Sequence, residues 1–483
     1  MPTDRTLERL ANATLLVPFE DLSAPRWALD GLADGFAGVC LFANNIADRE
    51  QLRTLTRQLE SAAEAPLISL DEEGGDVTRI GHLTGSDYPG NAALGSVDDP
   101  ALTRAVHRAL GAELHGLGIT LDLAPSVDVN TTADNPVIGT RSFGADPELV
   151  SRHAGAAVTG LQEGGVAACA KHFPGHGATY QDSHEETPVI DADVDLLRRR
   201  ELSPFRAAVQ AGVRSVLTAH IRLRPLGMAE PATLTPAIVT DLLRTELGFD
   251  GMIISDALEM RGVSGDIGIP EAAVRALLAG CDLLCLGRFV YHDEIVAVRE
   301  AIVTAVRSGR LDGQRLEQAA QRTALVRSWT TQRRTTTEDP AIGLDGARRA
   351  VQVTGELPSL HSPLVVELDA PPGAAVGEVP WGLAPWFPET VRLSAERERS
   401  DKVLADASGR PLVVVVRDAH RYPATRGFVT ELCRARPDTV VVELGLPAWR
   451  PECGVYVSTH GASRASCQSA AEILGAAGTV PIS

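Results

Sequence analysis

Between residues 13 and 287 the chain repeats one pattern eight times: a short apolar run, then a stretch with helical spacing of its apolar residues. The runs are ATLLVPF (13–19), GVCLFAN (38–44), PLISLDE (66–72), ITLDLAP (119–125), VAACAKH (166–172), SVLTAH (215–220), GMIISDA (251–257) and DLLCLG (282–287). They are nearly continuous in apolar residues rather than alternating, as parallel strands covered on both faces are. REQLRTLTRQLESAAE and PEAAVRALLAG are typical of the helix-like segments between them. Eight such units over roughly 300 residues predict an α/β fold, a (β/α)8 TIM-like barrel over residues 1–330. An open doubly wound sheet would use the same units.

After the helix-like RLEQAAQRTALVRSW comes a polar, Thr-rich stretch closed by Pro340, which reads as a linker over 331–345. From 346 to 483 a second set of apolar runs begins: PLVVEL (363–368), LVVVV (412–416), TVVVEL (439–444) and GVYVST (454–459). With helix-like stretches such as TRGFVTELCRAR between them, they predict a smaller α/β sandwich domain. A length of 483 residues is too great for one ordinary core and enough for two or three domains.

The formal net charge of −18 argues against nucleic acid and against a membrane surface as partners. No apolar run is long enough to span a bilayer, and MPTDRTLERLANATLL lacks the basic and apolar regions of a leader. Seven cysteines without a framework spacing read as reduced thiols, so a cytoplasmic location is expected.

Barrels of this kind place their chemistry at the C-terminal ends of the strands. Asp71, Lys171, His172, His220 and Asp256 all fall there. Any one of them is explicable as a helix N-cap; five on one end point to a shared pocket. The segment KHFPGHGATYQDSH (171–184) joins a cation, three histidines and Asp182 to three breakers, Pro174, Gly175 and Gly177, a composition suited to a loop that folds over the barrel mouth. His172, His176, Asp182 and His184 lack the spacing of a recognised metal motif, so neither metal nor cofactor is expected. Of 45 basic residues only Lys171 and Lys402 are lysines, consistent with a need for a compact ammonium at 171.

A carboxylate at Asp256 suits the nucleophile of a retaining glycosidase, which forms a covalent glycosyl intermediate. The leaving oxygen then needs an acid, either Asp182 directly or His184 oriented by Asp182. A barrel lyase using Lys171 as a Schiff base and a non-catalytic sugar-binding protein are the competing readings.

KHFPGHG followed by DSH, together with SDALEM (255–260), resembles the bacterial β-N-acetylglucosaminidase branch of glycoside hydrolase family 3. LDEEGGDVTR (70–79), LDLAPSVDV (121–129), NPVIGTRSFG (135–144) and LTAHI (217–221) are similar to further family elements, in collinear order over about residues 10–330. The resemblance implies an exo-acting hydrolase that takes a small carbohydrate substrate, a β-N-acetylglucosaminide, with peptidoglycan fragments as the natural source. It implies Asp256 as nucleophile, His184 with Asp182 as acid/base, and Asp71, Arg141, Lys171 and His172 as substrate-binding residues. Because a histidine acid/base is neutral once it has given up its proton, inorganic phosphate is an alternative acceptor to water, which would make the protein a phosphorylase. Glu72 departs from the family's usual Gln and is expected either to pair with Arg79 or to alter sugar preference. GARRAVQVTGELPSL (346–360) resembles the start of the family's second domain, for which a buttressing role is expected.

Overall fold

The structure is a computed structural model that describes residues 4–179, 188–224, 228, 230–332, 339, 341–373 and 375–476. Eight strands close into a parallel barrel: β1 (Leu15–Val17), β2 (Gly38–Cys40), β3 (Leu67–Leu70), β4 (Leu121–Asp122), β5 (Ala167–Phe173), β6 (Ser215–Thr218), β7 (Met252–Ser255) and β8 (Leu283–Cys285). Seven lie inside one of the eight apolar runs and β5 runs one residue past its own, and β1 pairs with both β2 and β8, so the sheet is closed rather than open. A two-stranded parallel ribbon, Val189–Ile190 with Arg222–Leu223, stands apart from it.

Alternate residues of each strand enter two different cores. Met252 and Ile254 pack inside the barrel with Leu16, Leu67, Leu121, Leu217 and Leu283. Ile253, between them, packs outward among the helices with Val39, Ile68, Val216 and Leu284. Both faces exclude water, which is why the runs are continuous in apolar residues. Several helices start where an Asp caps the first turn: Asp48 accepts from Glu50 and Gln51 N–H, Asp99 from Ala101 and Leu102, and Asp146 from Glu148. Pro100 and Pro147 follow two of these caps, at the first helical position, where a missing N–H is harmless.

The C-terminal sheet comprises β9 (Gln352–Thr354), β10 (Leu364–Leu368), β11 (Val391–Leu393), β12 (Leu412–Val416), β13 (Val440–Glu443) and β14 (Val455–Ser458), in the order β9-β14-β13-β12-β10-β11. Only β9 runs antiparallel. Separate apolar clusters cover its two faces, as an α/β sandwich requires. The four central strands coincide with the four apolar runs. The edge strands β9 and β11 are short and largely exposed, so they carry no apolar run to read. The helix Ile342–Ala350 begins inside the stretch expected as linker, and packs on barrel helices Asn91–Val97 and Pro100–Gly116 as well as on Arg464–Ile473.

Loops at the C-terminal ends of the second sheet meet the C-terminal face of the barrel. Asp76, buried on the barrel side, accepts from Thr140 Oγ1 at 2.6 Å and from the Ala462 N–H at 2.8 Å, and lies 3.3 Å from the Arg417 guanidinium. His420 Nε2 donates to the Ala133 carbonyl at 2.8 Å. Removing one partner of a buried ion pair typically costs about 3–5 kcal/mol. Asp76→Ala is therefore expected to lower the temperature of the first calorimetric transition by several degrees, and an unchanged transition would show that this clasp does not hold the domains together.

Candidate active site

Four chain segments converge at the barrel mouth. Strand β3 ends at Leu70 and delivers Asp71, Glu72 and Glu73 in succession. Strand β5 carries Lys171 and His172 in its last turns of pleat, both buried. Asp256 follows β7, and Arg141 ends a short helical turn, Gly139–Arg141. Asp71, Glu73, Arg79, Arg141, Lys171, His172, His176 and Asp256 line one cavity of about 660 Å³.

Lys171 Nζ donates to Asp71 at 2.7 Å and lies 2.8 Å from Glu73. Glu73 also receives both arms of Arg141, Nε at 2.9 Å and Nη2 at 2.7 Å. Burial disfavours the Lys171 ammonium, but Asp71 and Glu73 outweigh it and hold its pKa above the usual range. Burial would raise the Glu73 pKa, yet Arg141 and Lys171 hold it well below the usual carboxylate range. Asp71 is likewise held low against burial by Lys171 and by Arg79, whose guanidinium is 3.5 Å away. A Schiff-base lysine must lose its proton to react, so this environment counts against the lyase reading.

His172 donates from Nδ1 to Asp128 at 2.7 Å and accepts at Nε2 from Arg141 Nη2 at 3.1 Å, which fixes its tautomer. Asp128 also accepts the backbone N–H of His176 at 2.6 Å and the Ser126 hydroxyl at 3.0 Å. Burial would raise the Asp128 pKa; His172 more than offsets it, and the group is held low. Within this cluster three carboxylates (Asp71, Glu73, Asp128) answer three cations (Arg79, Arg141, Lys171), and Asp256 adds a further carboxylate to the same cavity. A pocket with no excess positive charge, and dense in donors and acceptors, suits an uncharged polyhydroxylated ligand better than an anion.

The glycine at 177 in the Lys171–Thr179 segment is explained by packing. A Cβ on Gly177 would stand 2.0 Å from the Val129 carbonyl oxygen, so only glycine lets the loop lie against the strand-end segment that carries Asp128. His176, beyond this turn, is buried with its Nδ1 against Thr179 Oγ1 at 2.8 Å. Burial, then the nearby His172, lowers its pKa to about 4.

The cavity unites Asp71, Arg141, Lys171, His172 and Asp256. Asp182 and His184 lie outside the described residues. The Asp256 carboxylate accepts the N–H of its own neighbour Ala257 at 2.8 Å, and the next helix begins only at Arg261, so Asp256 is not that helix's cap. His220 does not line the cavity: it is buried between Thr233 Oγ1 (2.9 Å) and the Ala257 carbonyl (3.0 Å), where it braces the backbone after Asp256. Glu72 does not pair with the Arg79 guanidinium. Its Oε2 accepts the Thr78 hydroxyl (2.9 Å) and the N–H groups of Arg79 (2.8 Å) and Ile80 (3.0 Å), clamping the turn that aims Arg79 at Asp71. No group of three potential ligand residues among the described ones could hold a metal ion. Glu73 and Asp128 join the cluster without having been expected there, although both lie in segments similar to family elements, LDEEGGDVTR and LDLAPSVDV.

The profile of the glycosyl hydrolase family 3 N-terminal domain matches residues 31–326. A β-hexosaminidase A of Pseudoalteromonas piscicida is 37% identical over 267 residues, 51% of this chain and 45% of its own. The chain thus spans less than half of that relative. A β-hexosaminidase of Stenotrophomonas maltophilia is 38% identical over 270 residues, 54% of this chain and 78% of its own. The structure of a family 3 β-N-acetylglucosaminidase from Paenibacillus sp. FPU-7 superposes with a TM-score of 0.87 at 29% identity, over 97% of this chain and 96% of that one.

Burial raises the Glu72 pKa to about 7, against the lowering effect of its hydrogen bonds to Ile80, Thr78 and Arg79. A carboxyl whose folded pKa is raised binds its proton more tightly in the folded state. Its contribution is complete below the unfolded value near 4.5 and is lost as pH rises through about 7, on the order of 3 kcal/mol in all. Gln keeps the acceptor oxygen and cannot ionise. The Tm advantage of Glu72→Gln over the parent should therefore widen by a few degrees between pH 5 and pH 8, and a difference independent of pH would refute this account.

Proposed function

The chain belongs to glycosyl hydrolase family 3, and on that premise we propose that it is a retaining exo-β-N-acetylglucosaminidase, which removes terminal N-acetylglucosamine from β-linked glycosides, peptidoglycan fragments among them. The observation that carries the reading is the shared cavity: Asp256, at the end of β7, faces the same space as the Asp71, Lys171, Arg141 and His172 cluster. The β-hexosaminidase relatives and the Paenibacillus β-N-acetylglucosaminidase support the choice of sugar. All seven cysteines are free thiols, in keeping with work in the reducing cytoplasm. Among the described residues no helix is long and apolar enough to cross a membrane.

In this mechanism the hydroxyls of the sugar bind the balanced ion cluster, with Asp71 accepting and Lys171 and Arg141 donating. An Asp256 oxygen attacks the anomeric carbon as the bond to the aglycone oxygen breaks. His184, oriented by Asp182, gives its proton to that departing oxygen. The histidine, now neutral, then takes a proton from water, which attacks the same carbon and releases Asp256.

Phosphate is the rival acceptor. A carboxylate acid/base would repel it by about 4 kcal/mol at ~4 Å and an effective dielectric near 20, a penalty that a neutral histidine avoids. Lys171 and Arg141 add no net positive potential, since Asp71 and Glu73 already engage them. Water is therefore the proposed acceptor.

Three outcomes are expected. Asp256→Asn should lower kcat by several powers of ten, and a 2-acetamido-5-fluoro glycosyl fluoride should label Asp256 alone; a label mapped to another carboxylate would refute the assignment. His184→Ala should impair a natural disaccharide far more than an activated aryl N-acetylglucosaminide, with Asp182→Ala milder in the same direction; equal losses would mark a binding role instead. At millimolar phosphate the product should be free N-acetylglucosamine, whereas N-acetylglucosamine 1-phosphate would convert the reading to a phosphorylase.

A further inference from the structure

The cavity extends beyond the ion cluster to an apolar rim. Leu83 and Phe289 line it and yet are 64% and 61% exposed. Single exposed apolar residues are ordinary on protein surfaces. These two share the wall of the cavity that holds Asp256, on the side open to solvent. Val376 and Val379 of the second domain line the same cavity.

Phe289 is held in place. Gly287 takes a φ of +98°, and a Cβ there would stand 2.5 Å from the Glu259 carboxylate. The space a side chain would fill is occupied by that carboxylate, which accepts the N–H of Arg288 and the N–H of Phe289, each at 2.5 Å. Glu259 itself is pinned by its own N–H, which donates to the Leu286 carbonyl at 3.2 Å. Its neighbour Leu258 donates likewise to Cys285, at 2.9 Å. The Arg288 guanidinium sits 5.1 Å from the centroid of the Phe289 ring. A single residue three positions after the nucleophile thus ties the loop of Asp256 to the loop that presents the aromatic ring.

An exo-acting enzyme that holds the terminal sugar among Asp71, Lys171 and Asp256 must direct the leaving portion of its substrate toward the open end of the cavity. We propose that Phe289 is the platform on which the leaving portion stacks, and that Glu259 is the positioning residue that holds the platform. The inference rests on the N-acetylglucosaminidase reading and names the aglycone class: a pyranose ring, whose C–H face packs on the aromatic ring, rather than a small alcohol.

The test compares di-N-acetylchitobiose, which has a sugar aglycone, with β-N-acetylglucosaminyl fluoride, which has none. For Phe289→Ala the ratio of kcat/KM for the disaccharide to that for the fluoride should fall about tenfold or more, chiefly through a raised KM, and Phe289→Trp should restore it. Glu259→Gln, which keeps one of the two acceptor oxygens, should shift the ratio less in the same direction. A ratio within twofold of the parent in Phe289→Ala, or an equal loss on both substrates, would overturn the platform. A parent protein that turns over neither substrate removes the activity reading and the platform with it, and this is distinguishable because the parent is measured first.

Discussion

A buried ammonium is tolerable only where carboxylates surround it, and Lys171 has two within 2.8 Å. That requirement organises the barrel mouth. Asp71 and Glu73 follow one strand end some 100 residues before Lys171, and Arg141 comes from a helical turn between them, so the cluster forms only when the barrel closes. The two cations divide the work by shape. The planar fork of Arg141 takes both oxygens of Glu73, while the compact ammonium of Lys171 reaches Asp71 and Glu73 together. The other lysine, Lys402, is exposed and makes a surface pair with Glu398, where either kind of base would serve. The near-neutral balance of the cluster follows.

The second domain is more than a buttress in position. Its parallel strands and those of the barrel both present C-terminal ends, the ends where loops gather groups for binding, to a common boundary. Asp76 fixes that boundary from within, with no exposure to spare for solvent competition. Residues 375–379 consequently reach the cavity that also holds Asp256. The cavity is thus composite, lined by residues of the barrel and by residues 375–379 of the second domain.

The apolar runs made the barrel legible because each strand is buried on both faces, so Met252, Ile253 and Ile254 read as one block although they serve two cores. The four central strands of the second sheet were legible for the same reason. Gln352–Thr354 and Val391–Leu393 were not, because an exposed edge strand needs no apolar side chains. At the site, position along a strand identified Asp71, Lys171, His172 and Asp256, since the C-terminal end of a barrel strand is a place the local pattern marks. The same rule overreached at His220, whose two nitrogens face Thr233 and Ala257 rather than the cavity.

Sequence by itself determined the eight barrel strands and the four central strands of the second sheet, their parallel sense, the two-domain division of apolar patterning and the set of strand-end groups, all of which depend on local periodicity and on short motifs. Tertiary structure alone decided the partners. That Glu73 bridges Arg141 and Lys171, that Asp128 orients His172, that Glu72 clamps a turn instead of meeting the Arg79 guanidinium, and that Glu259 holds the Phe289 loop are all contacts between residues brought together by folding. A carboxylate in a sequence states only that a charge must be solvated or answered. Which group answers it is set by closure of the barrel, because only there do desolvation and distance act together.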